Sequence, residues 1–172
     1  MKRMIRKFTL LLATVVVTTA VMAQDDKPVA SPAQTVKGTI KGANITINYG
    51  SPAVKGRKIW GGLEPFDKVW RAGANDATTF ETDKDLKIGT GMLPAGKYTF
   101  FLIPAESGQW TAIFNKVQKQ WGAYTYKESE DQLRVKVTPQ PLKATQERLV
   151  YKINKNNFAL EWDKLSVAVP VN

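Results

Sequence analysis

Residues 97–104, "KYTFFLIP", decide the fold, together with residues 110–115, "WTAIFN". The first run is apolar at consecutive positions, so both of its faces must be covered, as in a central strand. Residues 105–109 supply a turn, and the second run returns with strand alternation. The two runs read as a hairpin at the heart of a sheet.

The same period of two extends outward from that hairpin. Ile45, Ile47 and Tyr49 alternate with Thr46 and Asn48. Leu133, Val135 and Val137 alternate with Arg134, Lys136 and Thr138. Leu149, Tyr151 and Ile153 lead into the turn "NKNN" at 154–157, after which Phe158, Leu160 and Trp162 return. Leu165, Val167, Val169 and Val171 close the chain. Short alternating runs separated by Gly, Asn and Pro turns predict an all-β fold, a single antiparallel β-sandwich or jelly-roll-like domain. At most one short helix is expected, over residues 63–71, where Leu63, Phe66, Val69 and Trp70 fall at roughly helical spacing.

The N-terminus reads as an address. Lys2, Arg3, Arg6 and Lys7 precede an apolar run over 8–21, and Val21-Met22-Ala23 places small residues where a signal peptidase needs them. The apolar run is shorter than the ~20 residues that span a bilayer, so no transmembrane anchor is expected in the mature chain. The expected organisation is a signal peptide at 1–23, a flexible tether at 24–35 ("QDDKPVASPAQT") and the β domain at 36–172. The expected location is the periplasm or the medium.

Composition narrows the chemistry. The chain has 172 residues, a formal net charge of +10, no cysteine and no histidine. Four of its 25 Lys and Arg lie in the signal segment, and the remaining bases are mostly lysines spread along the chain. That reads as a solvated, mildly basic surface rather than a nucleic-acid patch. Without Cys or His there is no disulfide, no thiol nucleophile, no Ser-His-Asp triad and no His- or Cys-based metal site. No cofactor and no metal site is expected.

Several motif matches fail on detail. Residues 91–97, "GMLPAGK", have phosphate-loop spacing, but Tyr98 stands where Ser or Thr is needed and a strand follows instead of a helix. Ser51 and Lys55 are one residue too far apart for a serine-lysine hydrolase. Asp83-Lys84-Asp85 opens like a calcium loop, yet Ile88 replaces the required glycine and Pro94 the final glutamate. Asn44-Ile45-Thr46 matches a glycosylation sequon.

The surviving candidate is the segment "WRAGANDATTFETDKD" at 70–85, with "SPAVKGRKIW" before it. Arg57, Trp70, Arg71, Asn75, Asp76 and Trp121 form the candidate ligand-binding set. Guanidinium groups bind planar anions, Asn and Asp orient hydroxyls, and Trp70 or Trp121 would give an apolar wall. The open question is whether Arg71 and Asp76, on either side of Gly73, pair with each other or face a ligand.

These motifs resemble the exported domain-of-unknown-function family 2911. The resemblance rests on residues 51–85, on "LPAGKYTFFLIP", "WTAIFNK" and "QWGAY", and runs from about Ser31 to Val171. It implies a small exported β domain and supplies no catalytic residue. The family pattern has glutamate where this chain has Asp76, a shortening of roughly an ångström that a strict catalytic geometry tolerates poorly. The preferred reading is a non-catalytic binding module for a small anionic ligand, a glycan or a peptide. Two alternatives stand beside it. One is a carboxylate-dependent hydrolase, for example on glycans, using members of the set Glu64, Asp76 and Glu81. The other is a structural or interaction domain in which an Arg71–Asp76 clasp joins the sheets.

Overall fold

The computed structural model describes residues 29–172. The expected signal peptide, 1–23, and residues 24–28 of the expected tether lie outside the described residues. No helix among the described residues is long and apolar enough to cross a membrane.

Ten strands follow in chain order: β1 (Ala33–Ile40), β2 (Ala43–Gly50), β3 (Thr79–Thr82), β4 (Leu86–Ile88), β5 (Gly91–Leu93), β6 (Gly96–Ile103), β7 (Trp110–Asn115), β8 (Asp131–Val137), β9 (Gln140–Ile153) and β10 (Asn157–Pro170). Six of them form one antiparallel sheet in the order β1-β2-β3-β6-β7-β8. The second layer is the β9–β10 hairpin, and the short β4–β5 hairpin bridges to its end through Ile88 and Val171. The fold is therefore an all-β sandwich. Strand β1 begins at Ala33, so residues 33–35 of the segment read as tether pair with β2.

The two layers meet in one core. Ile45, Ile47, Phe80, Phe100, Leu102 and Phe114 of the large sheet pack with Leu149, Tyr151, Phe158, Leu160 and Trp162 of the hairpin. The β10 strand changes parity part-way. Phe158, Leu160 and Trp162 face inward, and so do Val167 and Val169, because register shifts flank Asp163, whose φ is 53°. An irregularity of this kind adds a residue to one strand and re-aims those that follow.

Residues 97–104 are covered on both faces, as their composition requires. Tyr98, Phe100 and Leu102 enter the main core, while Phe101 packs with Ala77 and Ile113 on the opposite face. That outer patch is covered by Val69, Ala123 and Tyr126 from the loops between β2 and β3 and between β7 and β8. The same two loops carry the candidate site.

The helix expected over 63–71 is not formed. Pro65 has no N–H to donate, and Asp67 takes a left-handed φ of 57°. The segment instead folds into turns closed by Gly61 N–H to Glu64 O at 3.0 Å and Glu64 N–H to Ile59 O at 2.9 Å. Trp70 then exchanges hydrogen bonds with Leu102 on β6, its N–H to Leu102 O at 2.8 Å and the return bond at 2.9 Å. The one helical element among the described residues is a 3-10 turn at Glu128–Glu130.

The motif near-misses have structural roles. Residues 91–97 span β5, a turn and the start of β6. Ser51 is buried and donates to Leu149 O at 2.7 Å. Asp83 accepts from the Asn44 N–H at 2.7 Å and from Asn44 Nδ2 at 2.6 Å, and Asp85 accepts from the Ala95 N–H at 2.7 Å.

Candidate functional site

A cavity of about 470 Å³ is an open groove on the outer face of the large sheet. Its floor crosses three strands through Thr35, Asn48 and Thr79, which sit side by side in the strand register. The three are linked in a chain: Thr35 Oγ1 donates to Asn48 Oδ1 at 2.8 Å, and Asn48 Nδ2 donates to Thr79 Oγ1 at 3.2 Å. One wall is residues 74–77, which include Asn75 and Asp76; the other is residues 118–120, and Lys97 also lines the groove.

The first wall is held in an unusual backbone shape. Ala72 and Asn75 adopt left-handed φ values of 52° and 63°. For a residue with a Cβ this costs roughly 1–2 kcal/mol and persists only where the surroundings enforce it. Here Thr78 Oγ1 and the Tyr151 hydroxyl both donate to Ala72 O, at 2.9 and 2.8 Å. Burial pushes the Tyr151 phenol well above its ordinary pKa, so it remains a donor. Gly50 completes the hold: a Cβ there would lie 2.1 Å from Ala74 O.

The second wall hangs from Asn115, which is fully buried. Its amide nitrogen donates to Lys127 O at 3.0 Å and Asp131 Oδ1 at 2.8 Å. Its oxygen accepts from the Val117 N–H and Gln120 Nε2, both at 3.1 Å. The two walls are stitched together by Ala77 N–H to Gln120 O at 2.9 Å and Gly122 N–H to Asn75 O at 3.2 Å. Asp76 and Trp121 are paired across this short ladder, and directly opposed residues share a face. Trp121 is 61 % exposed.

The six candidate residues therefore divide. Asn75 and Asp76 line the groove, and Trp121 is paired with Asp76 without being among the lining residues. Trp70 does not serve as a wall, because it is a core residue, 4 % exposed, stacked 5.9 Å from Trp162. Arg57 is turned back on its own loop, where Nε donates to Val54 O at 3.0 Å and Nη2 to Ala53 O. Arg71 is half-buried, and among the described residues it is in no ion pair with Asp76. Arg71 and Arg57 instead act on Glu64. Burial raises the Glu64 carboxyl from 4.5 to about 7, against the opposing pull of Arg71, Arg57 and the Trp70 indole. Trp70 Nε1 acts there at a distance, since it has no acceptor within hydrogen-bond reach.

A family model described as a protein of unknown function (DUF2911) matches residues 31–171. The chain belongs to this family. No curated protein and no solved structure matches it. The DUF2911 match covers both layers of the sandwich and both walls of the groove.

Within this DUF2911 domain, Thr35, Asn48, Thr79, Lys97 and Lys119 are lining residues that the sequence did not single out. The strand pattern marks Asn48 as a polar-face position, while Thr35 falls in the segment read as tether. Their meeting depends on the register of β1 against β2 and of β2 against β3, which no local pattern encodes. Asn115 was hidden for a different reason, since a single Asn at a strand end reads as an ordinary turn residue.

Proposed function

We propose that this DUF2911 protein is an exported, non-catalytic binding module, acting in the periplasm or the medium, whose groove takes a hydroxyl-rich ligand such as a glycan. The observation that carries this reading is the groove itself. An open cavity of about 470 Å³ with a floor of Thr and Asn side chains and a rim of Asn75 and Asp76 suits a chain of hydroxyls. Trp121 shares the face of Asp76 and offers an exposed ring on which a sugar would stack. Export agrees with such a ligand, as glycans abound outside the cytoplasm.

The hydrolase reading is less well supported. Glycoside hydrolysis needs two facing carboxyls, and Asp76 is the one carboxylate among the groove-lining residues. Glu64 is instead under the charge of Arg71 and Arg57 and does not line the groove, and Glu81 is exposed opposite Lys97 in the strand register. The clasp reading required an Arg71–Asp76 pair.

The test is a titration of the protein with soluble neutral oligosaccharides, read by tryptophan fluorescence and thermal shift. Asp76→Ala and Trp121→Ala should each weaken binding at least tenfold while moving the melting temperature little, because both side chains are exposed. If no oligosaccharide at millimolar concentration changes either signal, the groove is not a glycan site.

A further inference from the structure

Four arginines occur among the described residues, and three of them are satisfied by the protein. Arg57 donates to Val54 O and Ala53 O, Arg148 Nη1 donates to Ser51 O at 3.1 Å, and Arg134 pairs with Glu128 and Asp131. Arg71 differs. It donates no side-chain hydrogen bond and enters no ion pair among the described residues, and its Nε is buried without an acceptor. A guanidinium nitrogen buried in that state is costly, and buried polar and charged groups are ordinarily partnered.

The indole N–H groups of Trp60, Trp70 and Trp162 are also buried without acceptors, and their rings pack within 5.5–5.9 Å of one another. The acidic group on which Arg71 acts by charge is Glu64, which forms no ion pair with it. The outer side is open. Gly122 lacks a side chain where a Cβ would lie 3.6 Å from Arg71 Nη1 and 3.0 Å from the Tyr124 ring, and Tyr124 is 83 % exposed. Arg71 Nη1 thus ends beside a glycine that also abuts an exposed aromatic.

We propose that Arg71 is an oxyanion site, taking a carboxylate or phosphate-type group at the surface beside Gly122 and Tyr124, with Glu64 as its internal competitor, so that binding is accompanied by proton uptake at Glu64. The site is independent of the groove, whose lining does not include Arg71. The charged groups that face Glu64 are Arg71 and Arg57; Lys58, Asp67 and Lys68 on the same loop are exposed to solvent. Burial already holds Glu64 near neutrality with a pKa of about 7. An anion on Arg71 offsets the attraction that favours the ionised form, which drives Glu64 further toward its protonated form. Thermodynamic linkage then requires the protonated protein to bind the anion more tightly.

Sulfate and acetate are suitable probes, because both keep their charge between pH 6 and pH 8.5. The full chain is titrated with each at both pH values by calorimetry, in buffers of different ionisation heat to read proton uptake. The expected result is binding that weakens about tenfold from pH 6 to pH 8.5, the free energy equivalent of a one-unit displacement of a pKa. Preference for sulfate or for acetate separates a phosphate-type from a carboxylate ligand. Arg71→Gln should abolish binding, and Arg71→Lys, which keeps the charge and loses the planar fork, should weaken it at least fivefold. Glu64→Gln should bind equally at both pH values with no proton uptake. Wild-type protein that binds neither anion at pH 6 overturns the site, as does binding that survives in both Arg71 variants. A pH dependence that persists in Glu64→Gln overturns the coupling.

Discussion

Replacing Glu64 by glutamine should make the protein more stable at neutral and alkaline pH and leave it unchanged in acid. Glu64 is a half-buried carboxyl whose burial lifts its pKa from 4.5 to about 7, so the folded state holds its proton more tightly than the unfolded chain does. Below about pH 4.5 both states are protonated and the folded state bears no ionisation penalty. Between pH 4.5 and about 7 the unfolded chain gives up its proton while the folded protein keeps it, so stability falls as pH rises. Above that window both states are ionised and the loss is complete. The rise from 4.5 to about 7 corresponds to roughly 3 kcal/mol. For a domain of this size, that loss lowers the melting temperature by roughly 6–12 °C.

Glutamine keeps the shape and cannot ionise. The assay is urea unfolding of wild type and Glu64→Gln at half-unit intervals from pH 4 to pH 8.5. Other carboxylates contribute equally to both proteins, so the difference curve isolates Glu64. It should start near zero and rise to about 3 kcal/mol in favour of the variant. A flat difference, or one that favours wild type above pH 7, would refute the argument that desolvation outweighs Arg71 and Arg57 at this carboxyl.

Three further outcomes follow from the packing. Gly50→Ala should cost about 3 kcal/mol or more, because its Cβ would lie 2.1 Å from Ala74 O and must displace the 74–77 wall of the groove; a melting temperature within 1 °C of wild type would show that the contact is not tight. Phe158→Ala should cost roughly 3–5 kcal/mol by chemical denaturation, since its ring packs 4.8 Å from Phe80 and 5.3 Å from Phe100 at the centre of the core; a loss under 1 kcal/mol would contradict that placement. Asn115→Ala should cost about 2–4 kcal/mol, since it strips partners from the Val117 N–H and Gln120 Nε2, and it should expose the 116–127 loop to proteolysis; unchanged cleavage would mean that the loop is held by other contacts.

The sandwich was legible because a strand buried on one face must alternate, and a strand buried on both must not. Residues 97–104 announced their double burial, and the structure supplies Phe101 on one face and Phe100 on the other. The segment 63–71 misled because its apolar residues have helical spacing yet different partners. Leu63 is 42 % exposed, Val69 lies on the outer patch and Trp70 enters the tryptophan cluster. Pro65 was the local warning against a helix.

The site was legible in part. Asn75 and Asp76 stand out in sequence because an Asn beside a glycine turn tolerates left-handed backbone, and both reach the groove. Arg71 stands out as well, but its neighbour in the chain is not its neighbour in charge: the carboxylate that responds to it is Glu64, across a turn, rather than Asp76.

By itself, then, the sequence determines the class of fold, the longer alternating strands and the exclusion of thiol, triad and His- or Cys-based metal chemistry, because those follow from residue type and from a period of two. Only the tertiary structure decides which polar strand positions become one floor, which tryptophans are core and which one reaches solvent. It also decides that Arg71 ends without a partner. Those outcomes depend on strand register and on loops crossing the outer face of β6, and both are set by contacts between residues far apart in the chain.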